Sequence, residues 1–380
     1  MKTELQPGLV LAALLLLASA ACGGEAAKLA AATDNSQTPQ PQLGQKGAPA
    51  AAPLAAPATA PSAAPAPAAA TEAAWDAKLF DYVRPQTLVV EETTPTAAQA
   101  GFWLRPPQAP ADAPQPKATG PAKPLAVGAM NVVHLRFRDA LGDVVPAILC
   151  TPKDKAGPFP LVIAVHGLTS HKAQMVGLVG GALAARGFAI LATDLPCHGE
   201  RPGVPMGILD PQRSFENYRK AVIDVRQLLD LAEARPEIDH KTGVALMGYS
   251  LGSWVSSIAG PADPRVKAMV LMVGPGLFGA GDGPTGGEVA AISPRLSIQH
   301  FAGRPILQLC GKSDPLVSPE NCRRFFEAAP EPKKQVWYEC GHLLPREAHE
   351  EAARWLAETL HVAERPAPDK PPAQPPQQSP

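Results

Sequence analysis

The chain has 380 residues, with 34 Lys and Arg against 35 Asp and Glu, for a formal net charge of −1. That balance argues against general nucleic-acid binding, which needs a concentrated positive field. The only long apolar run, residues 5–19, is too short for a comfortable transmembrane helix, and 45 Pro and 32 Gly place much of the chain where no core can form.

At the start, Lys2, the apolar stretch Leu9–Leu17 and the small residues Ala18-Ser19-Ala20-Ala21 read as a secretory signal over residues 1–21. Cys22 resembles the cysteine of a bacterial lipobox, which is acylated and becomes the mature N-terminus, although Ser19 stands where Leu is usual. The expected location is therefore the bacterial cell envelope, lipid-anchored through Cys22. Ordinary cleavage after Ala18-Ser19-Ala20 is the alternative and would leave a soluble periplasmic or secreted protein. Residues 25–74 hold no aromatic residue and are dominated by Ala and Pro. Such a segment cannot bury enough apolar surface to offset its ordering entropy, so 22–78 reads as a disordered spacer. Residues 79–129 form a partly ordered extension in which Leu88-Val89-Val90-Glu91-Glu92 suits an added strand. Residues 364–380, with seven Pro between Pro366 and Pro380, read as a disordered tail.

From Asn131 the pattern becomes regular. Asn131–Phe137 and Val144–Leu149 flank the turn residues Ala140-Leu141-Gly142-Asp143, which predicts an antiparallel hairpin. Short, continuous apolar runs follow at Leu161–Val165, Phe188–Ala192, Val244–Met247, Val266–Val273, Pro305–Leu309 and Gln335–Tyr338. Each suits a strand buried on both faces. Helical patterns lie between them, clearest over Phe215–Ala234 and Ala348–Leu360. This alternation predicts one α/β domain over 130–363, a mostly parallel sheet with helices on both faces.

The chemistry concentrates at the ends of those strands. Gly248-Tyr249-Ser250-Leu251-Gly252 follows a strand and precedes a helical Trp254–Ala259, the strand–turn–helix setting of a nucleophile elbow. Ser250 must then sit on a strained turn, and Gly248 and Gly252 must be small where strand and helix close on each other. A serine hydroxyl needs a base to take its proton and an acid to orient that base. Asp314 follows the strand that ends at Cys310-Gly311, and His342 follows the next strand at Cys340-Gly341. They give the order Ser, Asp, His. Leu161–Val165 runs into His166-Gly167-Leu168, so the amides of Leu168 and Leu251 are the expected oxyanion donors. His166 itself reads as a structural hydrogen-bonding residue.

With His166-Gly167, the segment Asp194-Leu195-Pro196-Cys197-His198-Gly199-Glu200-Arg201, the elbow, Asp314 and His342, residues 130–363 resemble the α/β-hydrolases. Within them the likeness is to the dienelactone-hydrolase, acetyl-xylan-esterase and prolyl-oligopeptidase-like branch. That resemblance implies a mostly parallel eight-stranded sheet whose first two strands are the hairpin, with a small cap or none. It implies nucleophile Ser250, base His342 and acid Asp314, and a loop-structural role for the Asp194 segment. Dienelactone hydrolases use a cysteine nucleophile, so Ser250 points to the esterase side.

Other patterns carry less. Gly274-Pro275-Gly276-Leu277-Phe278-Gly279 matches a dinucleotide-binding spacing, but Pro275 stiffens the turn and no helix follows. Cys197, His198 and Glu200 lack a metal-ligand partner set, no CxxC is present, and neither metal nor cofactor is expected. With Cys22 acylated, Cys150, Cys197, Cys310, Cys322 and Cys340 remain, an odd number that leaves a thiol unpaired within the chain. The expected activity is hydrolysis of a small-molecule or polymer-linked carboxylic ester, with the membrane met only through the N-terminal lipid. A prolyl-oligopeptidase-like serine peptidase and a non-catalytic hydrolase-like surface lipoprotein are the alternatives.

Overall fold

The computed structural model describes residues 75–95, 125–203, 214–275 and 290–362. The expected signal, Cys22, most of the spacer, the C-terminal tail and the Gly-rich stretch 276–289 lie outside the described residues. The chain divides into two units, Met1–Ala70 and Thr71–Pro380.

β1 (Val90–Thr93) falls in the stretch expected to add a strand, and β2 (Leu125–Val127) turns through Gly128-Ala129 into β3 (Met130–Arg138). β3 and β4 (Val144–Pro152) form the expected antiparallel hairpin, in register from Met130↔Pro152 to Arg138↔Val144. Asp139 shapes its turn, since one carboxylate oxygen accepts from the amides of Leu141 (2.9 Å) and Asp143 (2.7 Å). Gly142 there takes φ 92°, a value that a side chain would resist.

β5 (Leu161–Val165), β6 (Ala189–Thr193), β7 (Val244–Tyr249), β8 (Val266–Met272), β9 (Ile306–Gly311) and β10 (Lys333–Tyr338) follow the apolar runs. The sheet order is β1-β3-β4-β6-β5-β7-β8-β9-β10, with β2 also paired to β3. β4 is antiparallel to β6, and every neighbouring pair from β6 to β10 is parallel. The eight expected strands are thus β3 to β10. β1 and β2 lie end to end along the outer edge of β3 and cover main-chain groups that would otherwise be open to another chain. A three-residue strand such as β2 is too short for any periodicity to reveal.

Helices α1 (Lys172–Ala185), α2 (Ser214–Glu233) and α3 (Leu251–Ala262) precede a short α4 (Pro294–Ser297), then α5 (Pro319–Ala328) and α6 (Arg346–Thr359). The two faces of β5 show why its run is continuously apolar. Leu161, Ile163 and Val165 pack with Val225 of α2 and Val255 of α3, whereas Val162 and Ala164 pack with Val179 of α1 and Ala352 of α6. Each fully buried aliphatic side chain contributes about 1.5–3 kcal/mol. α1 and α5 escape the sequence reading for different reasons. α1 is apolar or small nearly all round, with Gly177, Gly180 and Gly181 inside it, so no polar face sets a helical period. α5 is only ten residues long, and its signal is a cap: Ser318 Oγ accepts from the Asn321 amide at 3.2 Å, with Pro319 in the first turn.

The packed chain begins well before residue 130. Trp75 and Phe80 join the core shared by α2 and α3, and the Tyr82 hydroxyl donates to Asp230 at 2.6 Å. Among the described residues no helix is long and apolar enough to cross a membrane.

Candidate active site

β7 ends at Tyr249, and α3 starts at Leu251, so Ser250 alone makes the turn between strand and helix. Its backbone sits at φ 53°, ψ −113°, a strained conformation for a side-chain-bearing residue. The flanking glycines explain how the turn closes. A Cβ on Gly248 would stand 2.3 Å from the Gly252 carbonyl oxygen, and one on Gly252 would stand 2.0 Å from that of Val165. β7, α3 and β5 thus meet backbone to backbone, as the elbow motif requires.

Asp314 follows β9 and His342 follows β10, and the structure brings both to Ser250. His342 Nε2 lies 2.9 Å from Ser250 Oγ, and His342 Nδ1 lies 2.8 Å from Asp314 Oδ2. The other carboxylate oxygen, Asp314 Oδ1, accepts from the amides of Leu316 (2.8 Å) and Val317 (3.0 Å). An ionised Asp314 accepting at both oxygens assigns the Nδ1 proton to His342 and leaves Nε2 free to accept from the serine. Ser250, Asp314 and His342 are 5%, 6% and 8% exposed, so bulk water barely screens the three.

The expected oxyanion donors fall beside them. Leu251 opens α3, where first-turn amides lack intrahelical acceptors and a helix N-terminus favours negative charge. Leu168 leaves β5, the direct neighbour of β7, with Val165 opposite Gly248. A Cβ on Gly167 would come within 3.5 Å of Ser250 Cβ, which measures how closely that loop passes the nucleophile.

The loop after β6 braces the loop after β5. The Leu195 amide donates to His166 Nε2 at 3.0 Å, and His166 Nδ1 faces the Gly167 carbonyl at 2.7 Å. Burial pushes the His166 pKa down to about 3, so the ring is neutral and its two nitrogens are both used in structure. Similarly, the Thr169 amide donates to His198 Nε2 (3.2 Å), and the Lys172 amide donates to Asp194 Oδ1 (2.8 Å). Below them lies a buried charge network that no sequence periodicity signals. Lys172 Nζ sits 2.6 Å from both Asp194 Oδ2 and Glu200 Oε1, and Glu200 Oε1 meets His134 Nε2 at 2.9 Å. Burial alone would raise the Glu200 pKa, but hydrogen bonding to His134 and the Lys172 charge hold it at about 2. His198 and Glu200, weighed above as metal ligands with Cys197, therefore turn to different partners. Among the described residues no three His, Cys, Asp or Glu side chains converge as a metal site.

With this geometry in view, residues 156–298 match the serine aminopeptidase S33 family. The chain is 28% identical over 156 residues to the alpha/beta hydrolase xenA of Xenoacremonium sinensis, covering 39% of this chain and 34% of that protein. It spans about a third of the length of the curated relatives it matches. Among solved structures, TT1662 from Thermus thermophilus is 26% identical with a TM-score of 0.50, covering 61% of this chain and 99% of that one. A cold-adapted esterase from an Arctic intertidal metagenomic library, in a polyethylene-glycol complex, is 20% identical with a TM-score of 0.51, covering 62% and 97%. Strand order, elbow and these likenesses agree: the chain has the α/β-hydrolase fold.

Proposed function

We propose that the chain is a serine hydrolase that cleaves a carboxylic ester through an acyl-enzyme intermediate. The observation that carries this reading is the unbroken hydrogen-bond line from Asp314 through His342 to Ser250. His342 Nε2 takes the hydroxyl proton as Ser250 Oγ attacks the ester carbonyl, while Asp314 holds the ring and stabilises the imidazolium. The amides of Leu168 and Leu251 hold the tetrahedral oxyanion. His342 then protonates the departing alcohol, and water, activated by the same base, releases the acid. The triad itself needs no cofactor. The substrate is a small-molecule or polymer-linked ester, a choice with which the esterase named among the structural neighbours agrees. The same proposal puts the protein at the cell envelope with Cys22 as the lipid anchor, a reading supported by the signal-like sequence of residues 1–21.

A peptidase is the second reading, favoured by the match of residues 156–298 to a serine aminopeptidase family. The test compares the full-length chain with Ser250→Ala on p-nitrophenyl esters from acetate to dodecanoate, on peptide amides, and with a fluorophosphonate probe. Ester turnover and labelling, both lost in the variant, are expected. Activity undiminished in Ser250→Ala would remove the nucleophile assignment. Labelling with turnover of amides alone would select the peptidase, and neither labelling nor turnover would leave a binding role.

A further inference from the structure

Tyr249 is the residue before the nucleophile, and its side chain runs from the end of β7 to the loop that carries His342. It is buried, with its ring edge-on to the imidazole at 6.1 Å between centroids. Its hydroxyl donates to the His342 carbonyl at 2.7 Å and accepts from the Leu344 amide at 3.3 Å. One side chain therefore holds the loop on both sides of the base.

The loop needs such a tie. It leaves β10, the outermost strand of the sheet, and Leu343, between the two residues that Tyr249 holds, is 58% exposed. Asp314 fixes how the imidazole is turned but bonds only the ring. Ser313 ties the loop two residues earlier, its amide and hydroxyl donating to the Cys340 carbonyl at 3.1 and 3.3 Å. At His342 itself the backbone is held by Tyr249, which shares a peptide bond with Ser250. We infer that Tyr249 is a positioning residue that locks the His342 loop to the nucleophile elbow and sets the Ser250–His342 distance. This inference rests on the serine-hydrolase reading. A misplacement near 1 Å at a reacting pair lowers the rate by about 100-fold, so even a fraction of that is measurable.

The experiment uses the full-length wild type, Tyr249→Phe and Ser250→Ala. Phe keeps the ring packing and removes the hydroxyl alone. With p-nitrophenyl acetate, kcat of Tyr249→Phe should fall about tenfold or more while KM stays within about twofold. The far-downfield proton resonance of His342 Nδ1 should broaden or shift in the same variant. A purely structural tyrosine would lower the melting temperature and leave kcat and that resonance alone, an outcome that overturns the inference. In the wild type the Leu344 amide should exchange slowly with deuterium. Rapid exchange there would count against the tie without any variant having to fold. Absence of Ser250-dependent turnover in the wild type would overturn the hydrolase reading separately, and the Nδ1 resonance would still decide the role of Tyr249.

Discussion

Asp314→Asn replaces one oxygen by an NH2 group, and the surroundings dictate how the new amide must sit. Asp314 Oδ1 accepts from the Leu316 and Val317 amides at 2.8 and 3.0 Å, and Oδ2 faces His342 Nδ1 at 2.8 Å. Turning the NH2 group toward the two amides would set donor against buried donors, at a cost of about 1–3 kcal/mol for each lost bond. The amide oxygen therefore stays with the backbone, and the NH2 group faces His342. Nδ1 must then lose its proton, and the ring proton moves to Nε2, 2.9 Å from Ser250 Oγ. A histidine in that tautomer cannot take the serine proton. The same change in the best-known serine triad lowers kcat by about 10⁴, or about 5.5 kcal/mol of barrier at 1.36 kcal/mol per decade. The assay is the initial rate of p-nitrophenyl acetate hydrolysis by full-length wild type and variant, with the melting temperature measured beside it. A variant that folds and keeps more than about a tenth of the wild-type kcat would refute the assigned tautomer and with it the orienting role of Asp314.

Two further outcomes follow from the packing. Gly252→Ala should lose at least about 3 kcal/mol in urea unfolding, because its Cβ would meet the Val165 and His166 carbonyl oxygens at 2.0 and 2.8 Å and neither can swing aside; an unchanged midpoint would mean that the elbow relaxes. Glu200 has its pKa depressed from 4.5 to about 2 in the fold. Its stabilisation is therefore full above about pH 4.5 and is lost as pH falls toward 2, amounting to about 3 kcal/mol. Glu200→Gln should be less stable than wild type at pH 7 and decline less between pH 5 and 3. Parallel stability curves across that window would show that the Lys172 and His134 contacts carry no such linkage.

Much of this molecule was legible because its signals are local. The inner parallel strands are buried, so Leu161–Val165 and Val266–Met272 stand out as apolar runs without knowledge of their neighbours. β10, expected to be buried on both faces, lies at the sheet edge and has no fully buried residue. The elbow is written in five consecutive residues, and Asp314 and His342 each follow a strand by a few positions. What escaped depends on partners distant in sequence. Lys172 reads as an ordinary helix-starting lysine until Asp194 and Glu200 are folded around it, 22 and 28 residues later. Tyr249 occupies a variable position of the elbow motif, and its bond to His342 spans 93 residues. Charged side chains that bury themselves in pairs leave no periodic trace, since composition alone reads each of them as surface.

Backbone strain points to the same place without reference to any motif. Thr169, Cys197, Ser250 and Val273 all hold positive φ, between 44° and 66°. They follow β5, β6, β7 and β8, four strands that lie side by side in the sheet. A non-glycine residue in such a conformation costs on the order of 1–3 kcal/mol. Four of them together rival the 5–15 kcal/mol or so by which a whole domain is stable. Among the described residues one other non-glycine, His361 just past α6, shares such a φ at 52°; the other four line one edge of the sheet. Hydrogen bonds from the main chain hold three of them: the Ser250 amide donates to the Met272 carbonyl and that of Val273 to the Leu309 carbonyl, both at 2.8 Å, while the Thr169 amide donates to His198. Ser250 is the member of this group with a histidine and a carboxylate in line behind it, the arrangement on which the proposed hydrolysis rests.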